Sequence, residues 1–277
     1  ELARKAKTQE LTPEEKKEYK VCPYCKLIYI PTENYCCKHC YEKSFIIRRD
    51  VYAQIQSKNK KSNNNIMKFH YDEELESRKD LLSVWKKYGF IGFLHTTNFD
   101  NFIDIYKSKL LKSRNQLKNE GLVFEDNAEL SVLSHTDELT KSKVRLYYRC
   151  KTPTNISAFK KHNQQRPVMI VFTEDLLLDT NLIFCDGGAG TYSTKRTQIA
   201  KEALSFNWKE IFASYSYNDD NNNATERNHR NAEVLINSPL SLENAIKFYF
   251  RNKVDYNQAC KILGKDARFE YAPSYFI

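Results

Sequence analysis

The sequence predicts an α+β fold that is preceded by a small metal-binding module. Helix-like and strand-like patterns are interspersed along the chain without a regular βαβ rhythm. No glycine-rich loop that would cradle a phosphate follows a predicted strand, which argues against a nucleotide-binding α/β enzyme. A dense cluster of cysteines near the start of the chain marks a unit separate from the rest.

Composition sets the broad class of protein. The chain has 277 residues, of which 41% are hydrophobic and 13% aromatic, so a sizeable core is expected and wholesale disorder is excluded. Its apolar runs are far shorter than the ~20 residues of a membrane span. The chain opens without a secretory signal, and we expect a cytoplasmic protein. The net charge of +9 favours an anionic partner, although solvated lysines explain much of it.

The cysteine cluster has the spacing of a structural zinc site. Cys22 and Cys25 form one C-x-x-C pair and Cys37 and Cys40 form a second, and two such pairs close a tetrahedral site with four thiolates. Cys36 is an alternative to Cys37, with poorer spacing. We expect a zinc-ribbon module over residues 1–56, a linker over 57–71 and a larger domain over 72–277.

The three remaining cysteines are scattered, as reduced cysteines of a cytosolic protein are.

Periodicity predicts the first elements of the larger domain. Leucine, tryptophan and tyrosine recur at helical spacing over 72–88, and Gly89 stands where a C-cap belongs. A short apolar strand follows over 90–95, and Asn98 is placed to cap a second helix.

Further strands and helices are predicted along the rest of the domain. The strand candidates are 144–149, 168–172, 182–185, 232–236 and 268–271. Helical patterns recur near 194–205 and 241–250.

Five segments in this domain resemble, in order, the DarT-type ADP-ribosyltransferases, toxins that attach ADP-ribose from NAD to nucleic-acid bases. They are Leu94-His-Thr-Thr-Asn-Phe-Asp-Asn101 with the following Leu-Leu-Lys-Ser-Arg-Asn115, Val144-Arg-Leu-Tyr-Tyr148 with the following Arg-Cys-Lys-Thr-Pro153, Phe184-Cys-Asp-Gly-Gly-Ala189, Arg230-Asn-Ala-Glu-Val-Leu-Ile236 and Ala272-Pro-Ser-Tyr-Phe276. The resemblance covers about residues 90–277 and leaves out the zinc module.

The resemblance implies a fold and a function. The fold would be an ADP-ribosyltransferase-like split β-sandwich with flanking helices. The activity would be transfer of ADP-ribose from NAD to a base in single-stranded DNA, with an antitoxin as a further partner. One alternative keeps the enzyme class and changes the substrate to RNA. A second alternative is a non-catalytic zinc-ribbon protein that binds nucleic acid.

The chemistry of ADP-ribose transfer assigns candidate site residues. Breaking the bond to nicotinamide creates an oxocarbenium-like sugar, which requires a carboxylate beside it. Glu233, inside a short strand, fits that role. His95 and Thr97 alternate along a strand and therefore share a face, and the resemblance implies that they contact the NAD ribose with the help of Asn101. Tyr148 is the candidate that contacts nicotinamide, and Tyr147 is the alternative one residue away.

The sequence departs from the family before the second segment. The family carries paired arginines there, one of which contacts an NAD phosphate, whereas this chain has lysines only. The guanidinium would then come from one of three arginines, or a lysine would supply the charge. The candidates are Arg114, Arg145, Arg149, Lys141 and Lys143.

The segment before Glu233 is the predicted contact with the target strand. Tyr217 offers a stacking face, Asn218 an amide edge, and Arg227 and Arg230 offer guanidinium groups for phosphates. An unpaired base in a single strand is easier to reach than one in a duplex.

Overall fold

The computed structural model describes residues 20–21, 28–29, 64–124, 136–161, 166–214 and 223–276. The chain divides into two compact units, Glu1–Asp72 and Glu73–Ile277. In the first unit, strands β1 (Lys20–Val21) and β2 (Ile28–Tyr29) pair antiparallel. The connection between them, residues 22–27, contains the first cysteine pair but lies outside the described residues.

The second unit is built on a mixed sheet flanked by helices, so the predicted α+β class is correct. Within the described residues the sheet has eight strands. In chain order they are β3 (Phe93–Asn98), β5 (Lys143–Tyr147), β6 (Pro167–Phe172), β7 (Ile183–Cys185), β8 (Arg196–Thr197), β9 (Glu233–Asn237), β11 (Ala245–Phe250) and β12 (Phe269–Tyr271). The spatial order is β12-β11-β6-β3-β5-β9-β7-β8. Only β11 and β12 pair parallel in it.

Helices and short elements complete the described chain. The helices are α1 (Asn64–Lys87), α2 (Phe99–Ser108), α3 (Arg114–Asn119), α4 (Glu138–Ser142), α5 (Pro153–Lys161), α6 (Ala200–Ala203), α7 (Trp208–Ile211), α8 (Ala224–His229) and α9 (Lys253–Leu263). Short strands β4 (Leu110–Leu111) and β10 (Leu240–Ser241) pair with each other. Single turns of 3-10 helix span Glu174–Leu178, Leu242–Asn244 and Pro273–Tyr275. No helix in these ranges is both long and apolar enough to cross a membrane.

The beginnings and ends of the first elements follow local chemistry. Helix α1 ends at Lys87, and Gly89 follows with φ +82°, as the sequence predicts. The helix begins at Asn64, inside the segment expected to be a linker. Asn98 caps α2 as predicted, because its side chain accepts a hydrogen bond from the backbone N–H of Asn101 at 2.8 Å. Strand β3 begins three residues later than predicted, after Gly92 with φ +133°, where an added Cβ would lie 2.5 Å from the carbonyl oxygen of Phe172.

The prediction of a helix near 241–250 is wrong. Ala245–Phe250 forms strand β11, which pairs antiparallel with the fully buried strand β6. Its aromatic residues suit a strand, and tertiary pairing outweighs the weak helical spacing. The helical pattern near 194–205 is also largely wrong, because only Ala200–Ala203 is helical and Arg196–Thr197 is a strand.

One face of the sheet carries the larger hydrophobic core. Trp85 of α1 lies near its centre, and its ring contacts those of Phe93, Tyr148, Phe184 and Trp208 at centroid distances of 5.9, 5.1, 6.3 and 5.1 Å. The opposite face carries two smaller clusters. One is Leu94, Phe159, Met169, Val171, Tyr249, Ala272 and Phe276, and the other is Ile183, Cys185, Ala189 and Leu235.

The sheet is almost divided between β3 and β5. Strand β3 pairs with β6 over all six of its residues, but it pairs with β5 only at Leu94, opposite Tyr147. Strand β5 pairs with β9 over five residues on its other side. From His95 onward, β3 therefore diverges from β5 and leaves a gap in the sheet.

A buried arginine fastens α1 to the loops beside the sheet. The side chain of Arg78 donates to the carbonyl oxygens of Leu177, of Asp179 at 2.9 Å and of Gln198 at 3.2 Å. It also pairs with Glu74 at 2.7 Å. One positive charge thus satisfies carbonyl groups from two separate loops.

We predict that Arg78→Met lowers the free energy of unfolding by about 2–4 kcal/mol, because three carbonyl groups lose a donor and the Glu74 carboxylate loses its ion pair. Urea denaturation of the full chain measures the change. The matched control is Lys79→Ala, which removes only an exposed ion pair with Glu76 and should cost less than about 0.5 kcal/mol. Equal effects of the two substitutions would contradict this account of Arg78.

Candidate active site

Glu233 is a buried carboxylate at the first position of β9. Its side chain is 1% exposed, and its residue lies opposite Tyr147 of β5 in the register of the sheet. Strand alternation places Glu233 on the face that carries the two smaller clusters. A carboxylate at this depth requires compensation for its lost hydration.

Arg145 provides that compensation through a two-pronged ion pair. Its Nε lies 3.0 Å from Oε1 of Glu233, and its Nη2 lies 2.7 Å from Oε2. Burial alone would lower the pKa of Arg145, but the neighbouring Glu233 carboxylate raises it overall. Arg145 and Glu233 are diagonal neighbours on two paired strands, so the backbone register sets the geometry of the pair.

The backbone of the loop after β7 provides a third donor. The N–H of Ala189 donates to Oε2 of Glu233 at 2.6 Å, and the N–H of Glu233 donates to the carbonyl oxygen of Gly187 at 3.2 Å. Gly187 has no room for a side chain, because an added Cβ would lie 2.3 Å from Nδ2 of Asn228. The two carboxylate oxygens are therefore held by a guanidinium group and a backbone amide.

The two neighbouring tyrosines lie on opposite faces of the sheet. Tyr147 faces Glu233: burial raises the pKa of its hydroxyl, and the Glu233 carboxylate, which accepts a hydrogen bond from it, raises that pKa further. Tyr148 is 1% exposed and packs in the larger core against Trp85 and Trp208. Tyr147, not the predicted Tyr148, therefore shares the site face with Glu233, because successive strand side chains alternate.

His95 lies at the edge of the gap between β3 and β5. Its Nδ1 is 3.2 Å from the carbonyl oxygen of Arg145, to which it donates when the proton is on that nitrogen. Burial lowers the pKa of the imidazole, and the hydrogen bond to the Arg145 backbone opposes the change. Thr97 is 4% exposed on the same strand, and Asn101 lies in the first turn of α2. Leu94 belongs to the cluster on the Glu233 face, so strand alternation places His95 and Thr97 on the other face of β3, with Phe93. Of these two, His95 contacts the backbone of β5.

A comparison with models of known protein families identifies the family of this chain. A sequence model of the family described as "ssDNA thymidine ADP-ribosyltransferase, DarT" matches residues 94–277, about two thirds of the chain. The chain belongs to the DarT family. No curated protein matches the sequence.

Solved DarT structures have the same fold. Thermus sp. 2.9 DarT in complex with ADP-ribosylated ssDNA is 14% identical, with a TM-score of 0.56 over 67% of this chain and 95% of that chain. The same Thermus protein in complex with NAD+ has a TM-score of 0.53 at 14% identity over 67% of this chain and 96% of that chain. Thermosipho africanus DarTG in complex with ADP-ribose has a TM-score of 0.54 at 13% identity, over 66% of this chain and 50% of that chain.

The family assignment decides between the functions that the sequence left open. The leading prediction, a DarT-type ADP-ribosyltransferase acting on single-stranded DNA with NAD as co-substrate, is confirmed at the level of the family. The RNA alternative and the non-catalytic alternative are not favoured.

The residues predicted to contact DNA have different surroundings in this DarT chain. Arg227 is exposed on α8. Arg230 is instead ion-paired, with its Nε 2.7 Å from Glu210 and its Nη2 3.5 Å from Glu226. Tyr217 and Asn218 lie outside the described residues.

Among the candidates for the missing family arginine, only Arg145 contacts Glu233 in the described chain. Arg149 donates to the carbonyl oxygens of Ile211 and Ala213 at the end of α7, and burial together with Arg230 lowers its pKa to about 10. Lys141 pairs with Glu138, and Lys143 donates to Asn237. Arg114 begins α3.

Two features of the site were missed or left open by sequence reasoning. The alternation of Val144-Arg-Leu-Tyr147 placed Arg145 and Tyr147 on one face, and that signal was available. The Ala189 amide carried no signal, because a backbone donor is provided by loop geometry and not by a residue type.

The predicted zinc ligands Cys22, Cys25, Cys37 and Cys40 lie outside the described residues. Within the ranges that the structure describes, no group of three or more histidine, cysteine or acidic side chains is placed to hold a metal. The remaining cysteines, Cys150, Cys185 and Cys260, are free thiols there.

Proposed function

We propose that this chain transfers ADP-ribose from NAD to a thymidine base of single-stranded DNA and releases nicotinamide. The observation that carries the proposal is the buried Glu233 carboxylate, held by Arg145 and the Ala189 amide. Membership of the DarT family and the DarT complexes with NAD+ and ADP-ribosylated ssDNA support it. We interpret the divided sheet as the split β-sandwich of ADP-ribosyltransferases.

The reaction needs a fixed carboxylate. The bond between the ribose carbon and nicotinamide breaks, nicotinamide leaves as a neutral molecule, and a bond forms from that carbon to the base. The thymine ring nitrogen that is not bonded to deoxyribose carries a proton that must leave. We propose that Glu233 accepts this proton and, before that, stabilises the positive charge on the ribose.

Arg145 has a positioning role in this proposal. Two hydrogen bonds from one planar guanidinium group fix the plane of the Glu233 carboxylate, as bidentate pairs do. His95, Thr97 and Asn101 are proposed to contact the NAD ribose, and Tyr147 takes the nicotinamide-contacting role predicted for Tyr148.

On the DNA side, Arg227 is the exposed guanidinium proposed to contact a phosphate. Arg230, which is ion-paired with Glu210, is proposed to support the wall of the site. Tyr217 and Asn218 stay proposals as base contacts. We also propose an antitoxin partner, which the likeness to DarTG supports. The proposed location is the cytoplasm.

We predict that Glu233→Gln lowers the rate of ADP-ribose transfer to a thymidine-containing oligonucleotide by at least about 10²-fold, because the neutral amide cannot accept the proton. Labelled NAD measures the transfer. Glu243→Gln, which changes an exposed carboxyl group, is the matched control and should retain the native rate. If the native protein transfers no label to thymidine oligonucleotides, the proposed function is wrong.

We predict that Arg145→Gln lowers the rate of ADP-ribose transfer by at least about 10-fold, because glutamine cannot form the two-pronged contact that holds the Glu233 carboxylate in place. Transfer rates with labelled NAD measure the loss. Arg145→Lys, which keeps the charge and one donor, should lose less than Arg145→Gln. A native transfer rate in Arg145→Gln would contradict the positioning role.

For the first unit, we propose that Cys22, Cys25, Cys37 and Cys40 bind one structural zinc ion as a zinc ribbon. The chemistry of four thiolates in two C-x-x-C pairs fits zinc, and the first pair lies in the connection between the paired strands β1 and β2. Such a site would hold together a small unit that has little core of its own.

We predict that native protein contains one zinc ion per chain by metal analysis. Cys25→Ser should lower the content, because three thiolates bind zinc less tightly than four. Cys260→Ser, at a half-buried free thiol in the second unit, is the control and should leave it unchanged. Absence of stoichiometric zinc in native protein would refute the assignment.

A further inference from the structure

The loop over residues 186–195 is attached to the proposed catalytic residue. It joins β7 to β8, and its Ala189 amide donates to the Glu233 carboxylate at 2.6 Å. Three residues beyond Ala189 is Tyr192, whose side chain is fully exposed. A chain of three residues spans at most about 11 Å, so Tyr192 lies within that distance of Ala189, measured between Cα atoms.

Hydrogen bonds hold the tip of this loop in place. The hydroxyl of Thr194 donates to the carbonyl oxygen of Gly188 at 2.8 Å, and the N–H of Thr191 donates to the same oxygen at 2.9 Å. Asn228 of α8 accepts from the N–H of Gly188 at 3.0 Å and donates to the hydroxyl of Thr194 at 3.1 Å. Tyr192 thus projects from a braced turn, so that the binding of a ligand requires little further ordering of the loop backbone.

Two exposed cationic residues belong to this loop and to the helix that braces it. Lys195 is on the loop itself, and Arg227 is on α8, adjacent in sequence to Asn228, which braces the loop. Neither side chain has an ion-pair partner among the described residues. An exposed aromatic ring on a loop with such cations suits a single nucleic-acid strand, because bases stack on the ring and phosphates pair with the cations.

We propose that Tyr192 stacks on a base of the target strand beside the modified thymidine, with Lys195 and Arg227 contacting the strand's phosphates. The inference rests on the proposed function, since it names a second contact with the same DNA substrate. The fixed distance between the loop tip and Glu233 then helps to position the strand while the target base enters the site.

Oligonucleotide kinetics test the stacking contact. Tyr192→Ala should raise the KM for a thymidine-containing oligonucleotide by about 5- to 100-fold, the loss expected for one aromatic stack, with the KM for NAD unchanged. Tyr192→Phe keeps the ring and should resemble the native protein. Tyr271→Ala, at an exposed tyrosine on the far edge strand β12, is the matched control and should change nothing. An unchanged oligonucleotide KM in Tyr192→Ala would overturn the proposal.

Abasic substrates identify what Tyr192 touches. With an oligonucleotide that keeps the target thymidine but has abasic positions on both sides, native protein and Tyr192→Ala should have the same KM. If the alanine variant loses as much on this substrate as on the intact one, the contact is not with a flanking base and the proposal fails.

Fluorescence anisotropy with an unmodified labelled oligonucleotide separates this inference from the proposed function, because binding needs no NAD. Weaker binding by Tyr192→Ala than by Tyr192→Phe supports the stacking contact even if native protein transfers no ADP-ribose. Equal binding by the two variants, together with normal transfer by native protein, overturns the inference and leaves the proposed function intact.

Discussion

The divergence of β3 from β5 is the constraint on which the rest of this domain depends. Two strands that pair at a single position leave backbone groups on both edges of a gap in the middle of the sheet. Buried backbone groups need partners, and the ring of His95 provides one for the carbonyl oxygen of Arg145. The sheet stays continuous through the pairing of Leu94 with Tyr147.

The buried ion pair of Arg145 and Glu233 depends on the register of β5 with β9. The Glu233 carboxylate is buried and has little water around it, so its charge requires a fixed partner with good hydrogen bonds. The β5–β9 register places the Arg145 guanidinium group diagonally across from Glu233. The N–H of Ala189 donates a further hydrogen bond to the carboxylate. The same hydrogen bonds that offset the burial of charge also fix the orientation of the carboxylate.

The loop after β7 connects the buried Glu233 carboxylate to an exposed tip. Its base holds Glu233 and its tip presents Tyr192, and Asn228 braces the stretch between them. The glycine at 187 is required because Asn228 fills the space where a side chain would be. In this arrangement one short segment sets the position of the carboxylate and of the proposed strand contact together.

The sequence by itself determined the α+β class, the Asn98 cap, most strands and the family, because these depend on local propensity, alternation and motif order. It also named Glu233 as the candidate carboxylate. It did not determine β11, because a run of aromatic residues with weak helical spacing becomes a strand only when β6 is beside it. Nor did it decide between Tyr147 and Tyr148, since one residue of register exchanges the two faces. Tertiary structure alone decided the two contacts that hold Glu233. Arg145 is 88 residues away from Glu233 in sequence and Ala189 is 44 residues away, so these groups meet only when the strands and the loop are assembled.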